Sequence, residues 1–576
     1  MSGAVRSTDP YSGFRHMRRS LVVLGAAVAV AACGDTKSTG DAESDVGGTL
    51  VVATSSDADY LLPPIITNLQ SKTVVDQIFD RLAEIGDDMN ILGDRGFKPR
   101  LAEKWDWSAD SMQIAFHINP KAKWHDGVPV RSSDVRFTFD LNTDPKVAGQ
   151  AGSVLKPQID SVSTPDSLTA VFWFNRRYPQ QFFDATYHML ILPEHSLRAE
   201  PRDQLKAAAF SRAPIGSGRF RFARWTPGQS IEVVADTTNY RGRPKLDRVI
   251  WSITTDPGMS FTRVFAGDVD YAEPLLNPAL LPEVAKNTNV VRRATRGADY
   301  AFVLFNLTAH KSTSPHPLFG DRNLRRALSM ALDRQTVVRS VFDTLAQVSV
   351  GPMTRWQYHA DTNVVQIPFD TLAARALLDS LGWRDADGDG IRERNGKPLR
   401  FTIGVPSSSM FRQRAAVLVQ ASLKRVGAQV DLDVREPNTL FASVRAGDFD
   451  AFLNAIHADP SPFSMKQSWS KLGARTSGGL NFGMYHNPVF DAYLDSAFTS
   501  WDLPRVRAMS RKAYDVLLAD APALWLYEPT YSAVVHKRFR VKGMRPDAWW
   551  ANVDEWSIPA NERIARDRIG LATTAR

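Results

Sequence analysis

The strongest pattern of potential metal ligands in the sequence is the acidic segment Asp385–Gly390, which reads Asp-Ala-Asp-Gly-Asp-Gly. Its carboxylates and its last glycine match the first, third, fifth and sixth positions of an EF-hand calcium loop. The twelfth position, however, is Gly396 and not the bidentate glutamate that completes such a loop. Since a helix is expected to end at Trp383 and a strand to begin near Lys397, the pattern favours a connecting turn over a calcium site.

Recognisable catalytic and zinc-binding motifs do not occur. The eleven histidines stand singly, without a His-Glu-x-x-His motif or a His-x-His pair, and there is one cysteine, so no zinc site is predicted. Ser217 lies between two glycines in a predicted turn, and no Gly-x-Ser-x-Gly elbow occurs. We therefore predict no metal, no cofactor and no enzyme activity. His457 and His486 can reach a ligand, although surface or hydrogen-bonded roles are favoured.

The single cysteine, Cys33, follows a segment that predicts export. Arginines precede an apolar run at 21–32, which is shorter than the ~20 residues of a membrane-spanning helix and is typical of a signal-peptide core. The run ends in Val-Ala-Ala-Cys-Gly, which looks like a bacterial lipobox. We predict a signal peptide at 1–32, a lipid on Cys33 and a tether at 33–48. An ordinary signal peptide followed by a chance cysteine is the alternative.

Length and charge exclude some classes of protein. A chain of 576 residues exceeds the ~250–300 residues of a single hydrophobic core, so two or three compact units are expected. The formal net charge is +8, but the basic residues are scattered among acidic ones, and clusters such as Arg292-Arg293 are mostly pairs. Nucleic-acid binding is therefore not predicted.

The elements that must position any site alternate between strands and helices. Leu50–Ala53 predicts a buried strand, and the loop that contains Ser56 and Asp57 follows at its carboxyl end, where open α/β sheets place ligands. Ile114, Phe116 and Ile118 alternate with polar residues, as in a strand with one buried face. Further strands are predicted near 219–223, 231–235 and 249–253, and two helices between 321 and 342. The sequence thus predicts an α/β fold.

Two distant segments repeat one pattern. Phe265–Asp270 and Val444–Asp450 each read as the end of a helix, a glycine cap and the start of a strand. Their separation fits two lobes built on the same α/β plan, with a ligand cleft between them.

A set of ordered motifs resembles the extracellular solute-binding family that includes the oligopeptide, dipeptide, nickel and haem receptors of ABC importers. The resemblance covers nearly all of the predicted mature chain and rests on motifs that follow the family's order and spacing. These motifs are Leu101–Trp105, Trp124–Pro129, Asp134-Val135, Ile215–Phe220, Asn239–Asp247, Arg325–Asp333 and Ala373–Trp383.

The resemblance implies a two-lobed periplasmic binding protein fold, type II and cluster C, with an accessory domain. The first lobe would combine 48–90, 214–305 and 525–576, the accessory domain would span 91–213, and the second lobe 306–524. The hinge would lie near Phe302–Asn306 and Trp525–Tyr527.

The resemblance also implies ligand contacts in the second lobe. Family members that bind peptides pair a carboxylate with the free α-amine, and Asp459 is the acid available for that role between Asp450 and Asp491. In a second alignment Ile456 takes this position, and the amine loses its partner. The remaining expected contacts are Trp469, Arg475, Asn481 and Tyr485, with Ser56 and Asp57 from the first lobe.

On this basis the chain is expected to be a monomeric, lipid-anchored receptor on the periplasmic or extracytoplasmic face of the membrane. It would capture a peptide or a peptide-like solute and deliver it to an ABC permease and ATPase complex. The alternatives are a non-peptide solute such as haem, a nickel chelate or an oligosaccharide, a lipid-anchored enzyme, and a sensor or chaperone that works without a permease.

Overall fold

The computed structural model describes residues 45–147, 149–474 and 479–569. The predicted signal peptide and the predicted site residues Cys33 and Arg475 lie outside these ranges. The residues in these ranges form one compact unit. No helix in the described ranges combines the length and the apolar character needed to cross a membrane.

Strands and helices alternate along the described chain. The strands are β1 (Thr49–Thr54), β2 (Ala83–Glu84), β3 (Lys98–Pro99), β4 (Ala102–Trp107), β5 (Gln113–Ile118), β6 (Ile159–Asp166), β7 (Thr169–Phe174), β8 (Phe220–Thr226), β9 (Ser230–Ala235), β10 (Arg248–Ile253), β11 (Tyr271–Ala272), β12 (Val290–Thr295), β13 (Asp299–Phe305), β14 (Ala346–Val348), β15 (Glu393–Arg394), β16 (Lys397–Pro398), β17 (Arg400–Pro406), β18 (Gln429–Arg435), β19 (Ala451–His457), β20 (Ala523–Pro529) and β21 (Tyr531–His536).

The α-helices are α1 (Leu69–Ile78), α2 (Ser132–Thr143), α3 (Gln150–Leu155), α4 (Gln181–Tyr187), α5 (Glu194–Leu197), α6 (Pro257–Ala266), α7 (Leu281–Lys286), α8 (Arg322–Met330), α9 (Arg334–Phe342), α10 (Thr371–Ser380), α11 (Met410–Lys424), α12 (Pro437–Arg445), α13 (Phe463–Trp469), α14 (Pro488–Phe498) and α15 (Leu503–Asp520). Short 3₁₀ helices lie at Pro63–Ile65, Ala209–Ser211, Pro278–Leu280, Lys471–Gly473, Trp549–Glu555, Ala560–Glu562 and Ala565–Arg568.

The first lobe is built on a seven-stranded sheet in the order β12-β21-β11-β1-β10-β9-β8. β1 is the predicted buried strand and runs parallel to both β10 and β11. The three further strands predicted from the sequence form β8, β9 and β10. The segment that follows β21 returns to this lobe, where the ring of Trp549 stacks on Tyr271 with 4.0 Å between their centroids.

The second lobe contains a six-stranded sheet in the order β14-β20-β13-β19-β17-β18. β17 runs parallel to β18 and β19, whereas β13 is antiparallel to β19 and β20. The two helices predicted between 321 and 342 are α8 and α9. Both begin where an aspartate, Asp321 or Asp333, accepts hydrogen bonds from the backbone of the first turn.

The accessory domain contains the antiparallel sheet β4-β5-β7-β6. Ile114, Phe116 and Ile118 all point to its buried face, which confirms the alternation predicted for β5. α2 covers this sheet, and Asp134 closes its first turn because the Oδ2 atom accepts from the backbone N–H of Arg131 at 2.8 Å.

The two lobes are joined where β12 continues into β13 and where β20 continues into β21. The two connecting segments lie close together there, since a Cβ atom on Gly297 would lie 1.7 Å from the carbonyl oxygen of Pro529. The crossing thus lies at 296–298 and 529–531, outside the expected hinge segments. Because β13 and β20 pair with each other as full strands of the second-lobe sheet, residues 299–305 and 525–529 belong to that sheet and not to the first lobe.

The repeated segments do form equivalent units in the two lobes. Gly267 and Gly447, both at positive φ, follow α6 and α12 and lead towards β11 and β19. In the first lobe the Oδ2 atom of Asp270 accepts from the N–H of Val51 at 2.9 Å. In the second lobe the same atom of Asp450 accepts from Thr402, also at 2.9 Å. The sequence echo therefore marks one structural unit used twice.

Candidate ligand site

A cavity of about 250 Å³ lies between the lobes, and we call it the interlobe cavity. α1 and the loop before it line one wall, the accessory domain lines the next, and the second lobe lines the third. The lining residues are Pro63, Pro64, Ile66, Lys72, Val75, Asp76, Arg81, Asn142, Ala151, Val154, Tyr187, His188, Leu190, Asp459, Gln467 and Leu480.

Asp459 supplies the carboxylate on the second-lobe wall. It stands just beyond the end of β19, where its Oδ1 atom accepts from the N–H of Ser461 at 2.8 Å. Gln357 fixes the same loop by donating to the carbonyl oxygen of Asp459 at 2.7 Å. Burial raises the pKa of the Asp459 carboxyl to about 6. Among the described residues, no cationic side chain lies within salt-bridge distance of it.

Asp76 stands on the first-lobe wall, where it is surrounded by donors. Its carboxylate accepts from Lys72 at 2.8 Å, from Arg81 at 3.1 Å and from the indole N–H of Trp550 at 2.8 Å. Burial would raise the pKa of Asp76, but Lys72 and Arg81 outweigh it and hold the pKa well below its usual value. The Lys72 side chain is 32% exposed, and Asp76 is the one carboxylate of the described residues within ion-pair reach of its ammonium.

A buried ion-pair network joins the first lobe to the accessory domain beside this wall. Arg545 bonds Glu84 at 2.6 Å and Asp547 at 2.9 Å, and the Tyr187 hydroxyl donates to Asp547 at 3.1 Å. Burial would raise the pKa of Glu84, but Arg545 and Arg81 lower it to about 2. These bonds hold the first-lobe wall and the accessory-domain wall of the cavity together.

His188 extends the accessory-domain wall. Its Nε2 atom lies 3.6 Å from Asp184, whose other carboxylate oxygen accepts from the Tyr178 hydroxyl at 2.7 Å. Burial is the main influence on the pKa of Asp459 and raises it, whereas the nearby His188 acts in the opposite direction.

Three contacts between the accessory domain and the second lobe close one side of the cavity, and we call them the lip contacts. The Gln467 amide donates to the Ser153 hydroxyl at 3.2 Å, and the Ser461 hydroxyl donates to Gln180. Val154 packs against Phe498 as a small apolar cluster. Since Gln467 and Val154 also line the cavity, the lip contacts form part of its wall.

His457 makes a further contact between the lobes near the hinge. Its Nδ1 atom lies 2.9 Å from the carboxylate of Asp299 on the neighbouring strand, and its Nε2 atom lies 3.3 Å from the carbonyl oxygen of Asp547 in the first lobe. Both partners are acceptors, so only the doubly protonated ring can donate to both. Burial opposes that charge, but Asp299 and Asp547 together raise the pKa of His457.

Residues 96–477 match the family of bacterial extracellular solute-binding proteins, family 5 Middle. The chain belongs to this family. The oligopeptide-binding protein AppA of Bacillus subtilis is 26% identical over 549 residues, which cover 93% of this chain and 97% of AppA.

Solved structures share the fold. AppA from Bacillus subtilis in complex with a nonapeptide has a TM-score of 0.78 at 24% identity, over 90% of this chain and 99% of AppA. NikZ from Campylobacter jejuni in complex with Ni(L-His) has a TM-score of 0.77 at 24% identity, over 88% of this chain and 99% of NikZ. The chain thus has the two-lobed architecture of a periplasmic binding protein.

Of the expected ligand contacts that the structure describes, Asp459 alone lines the interlobe cavity of this solute-binding protein. Trp469, Asn481 and Tyr485 lie in the core of the second lobe, each at most 3% exposed. The Asn481 amide donates to the backbone of Ser470 and Tyr485, and the Tyr485 hydroxyl donates to Asp520 at 2.8 Å. The Asn481 amide thus holds the backbone of Ser470 and Tyr485 together, and direct ligand contact by Trp469, Asn481 or Tyr485 stays a prediction.

The first-lobe candidates lie away from the cavity lining. Asp57 accepts from the Trp225 indole at 2.9 Å and from the N–H of Gly228 at 2.8 Å, which fixes the turn between β8 and β9. Ser56 is exposed next to it. Ile456, the alternative to Asp459, is half-buried and packs on the core of the second lobe.

Sequence reasoning missed Lys72, Asp76, Arg81, Tyr187 and His188 as cavity residues. Their segments are separated in sequence by up to about a hundred residues and meet only in the folded protein. One local signal was present: Asp76 and Arg81 are charged residues within or just after a helix whose neighbours are apolar.

The segment Asp385–Gly390 connects α10 to β15, as the sequence predicted. Carboxylate oxygens of Asp385, Asp387 and Glu393 lie within 4.8 Å of one another. The Asp385 carboxylate already accepts from the backbone N–H groups of Gly388 and Gly390, at 2.8 and 3.0 Å. Its oxygens therefore stabilise the turn.

A second group, His310, His316 and Asp450, also has the spacing of metal ligands. The Nδ1 atom of His316 accepts from two backbone N–H groups at 3.1 Å, so the ring proton lies on Nε2 and points to Asp450 at 3.2 Å. Without a free lone pair on Nε2, His316 acts as a hydrogen-bond donor to Asp450 and not as a metal ligand.

Proposed function

We propose that this solute-binding protein captures a peptide or peptide-like solute in the interlobe cavity and delivers it to an ABC permease and ATPase complex. One observation carries the choice of ligand: Asp459 is a half-buried cavity carboxylate without a cationic partner among the described residues. A ligand ammonium group would supply the positive charge that this carboxylate lacks.

The energetics support this assignment. A carboxylate that is drawn out of water loses hydration, which is why burial raises the pKa of Asp459 to about 6. A ligand α-ammonium restores the opposite charge, and a charge-assisted hydrogen bond of this kind contributes about 1.5–3 kcal/mol. The ionised Asp459 carboxylate is therefore less stable in the empty cavity than next to a ligand ammonium.

Capture would proceed by rotation of the lobes about the crossing at 296–298 and 529–531. The lip contacts and the bond of His457 to Asp547 form only when the lobes are together, so they stabilise the closed state. The family supports an extracellular location, and we propose that a lipid on Cys33 retains the protein at the membrane.

Thermal-shift measurements on the form that begins at Thr36 test the proposal. Pools of peptides, haem, nickel chelates and oligosaccharides are added in parallel, and a rise in melting temperature with peptides is expected. The variant Asp459→Asn should lower peptide affinity by about tenfold or more. Asp160→Asn, an exposed residue of β6, serves as the matched control.

If no peptide raises the melting temperature, the peptide assignment is wrong. If haem or a nickel chelate does so in its place, the non-peptide alternative replaces it. Unchanged peptide affinity in Asp459→Asn would leave the ligand class intact and remove the role of Asp459.

A further inference from the structure

The interlobe cavity is small for a peptide receptor. Its volume is about 250 Å³, just below the range of roughly 300–1,000 Å³ that is usual for ligand pockets. If it is about equally wide in all directions, it measures about 8 Å across. An extended chain rises by roughly 3.3–3.6 Å per residue, so two residues span about 7 Å and nine span about 30 Å.

The walls that set this size are firmly held. On one side the Arg545 network fixes the accessory domain against the first lobe. On the other side the lip contacts fasten the accessory domain to the second lobe, and two of their residues, Gln467 and Val154, face the cavity. A longer ligand would have to break the lip contacts, at the cost of two hydrogen bonds and an apolar contact.

The charges on the two walls have opposite signs where a ligand can reach them. Asp459 on the second lobe lacks a cationic partner among the described residues. Lys72 on the first lobe is partly exposed and spends one of its three N–H donors on Asp76. A molecule with an ammonium at one end and a carboxylate at the other can satisfy both.

We infer that the cavity selects short zwitterionic peptides of two or three residues, with the free amino terminus at Asp459 and the free carboxylate at Lys72. Gln467 and Val154 set the length limit. This inference rests on the proposed function and adds ligand length and the requirement for a free carboxyl end.

Native mass spectrometry reads ligand length directly. The form that begins at Thr36 is freed of co-purified solute and mixed with equimolar random pools of peptides two, three, five and nine residues long. The bound masses should correspond to two or three residues. Isothermal titration with a recovered peptide should then show at least a tenfold loss of affinity when its carboxyl end is amidated.

Two variants assign the residues. Lys72→Met should weaken binding of the free peptide and abolish the discrimination against the amidated one, whereas the control Lys98→Met, an exposed residue of β3, should do neither. The double variant Gln467→Ala/Val154→Ala should admit peptides of five residues.

The outcomes separate this inference from the function beneath it. Equal or better binding of the nine-residue pool overturns the length limit and leaves peptide capture standing. Equal binding of free and amidated peptides overturns the role of Lys72. Failure of every pool to bind overturns both the inference and the proposed function.

Discussion

Replacing Asp459 by asparagine should make the ligand-free protein more stable at neutral pH. The pKa of this carboxyl rises from 3.8 to about 6 in the folded protein. Because the folded-state pKa is the higher one, the protonated carboxyl favours folding below about pH 4, and that contribution is lost as the pH rises through 6. A shift of roughly 2 units at about 1.36 kcal/mol each gives about 3 kcal/mol.

Asparagine cannot ionise and therefore avoids this loss. At about 2.1 cal/mol/K per residue, unfolding some 525 residues carries an entropy of about 1.1 kcal/mol/K, so 3 kcal/mol corresponds to about 2–3 °C in melting temperature. Calorimetry of the ligand-free protein and of Asp459→Asn should show this difference at pH 7.5 and almost none at pH 4. Asp160→Asn should match the parent at both pH values.

A variant that is more stable but binds less is the signature of a residue kept for its ligand. If Asp459→Asn melts at or below the parent temperature at pH 7.5, the carboxylate is already compensated within the protein. In that case the argument for a ligand ammonium fails.

Two further predictions concern the framework around the site. The closed state should weaken as the pH rises through the raised pKa of His457, because the neutral ring can donate to only one of its two acceptors. In the Asp459→Asn variant, fluorescence transfer between cysteine labels on the two lobes should show this opening. The further substitution His457→Gln should abolish the pH dependence of the opening. Arg538→Met should cost about 3–5 kcal/mol in urea unfolding, because the buried Asp567 loses the cation that pairs with it and Asp270 keeps only Arg566. Arg540→Met, which removes a more exposed ion pair, should cost less than about 1 kcal/mol. Equal losses in the two variants would refute the figure for Arg538.

Local patterns in the sequence were enough to predict much of the fold. The alternation of Ile114, Phe116 and Ile118 predicts β5 because one face of that strand is buried in the accessory domain. Asp321 and Asp333 mark helix starts because a carboxylate accepts from the free N–H groups of a first turn. These signals depend on neighbours in the sequence.

The site was predicted less completely because it depends on contacts between distant segments. Asp459 was found through a resemblance that extends over nearly all of the predicted mature chain. Lys72 and His188 carry no local signal, since their function arises only when α1, the accessory domain and the second lobe meet. Trp469 and Asn481 have residue types that suit a ligand, but the sequence does not tell a core from a cleft.

The repeated unit belongs to the framework of the two sheets and not to the ligand site. Asp270 and Asp450 stand at the same position after a glycine, and each accepts a backbone hydrogen bond from a strand of its own sheet. Their second partners differ, with Arg538 and Arg566 on Asp270 but His310 and His316 on Asp450. None of these residues lines the interlobe cavity.

The residues that do line it stand outside the repeat: Lys72 lies on α1, and Asp459 lies beyond the end of β19. Substitutions there can alter the charge and the length of the cavity without touching the sheets. The same fold occurs in proteins solved with a nonapeptide in one case and with Ni(L-His) in another, so the fold alone does not fix the ligand. The ligand of this chain must therefore be inferred from Asp459, Lys72 and the lip contacts.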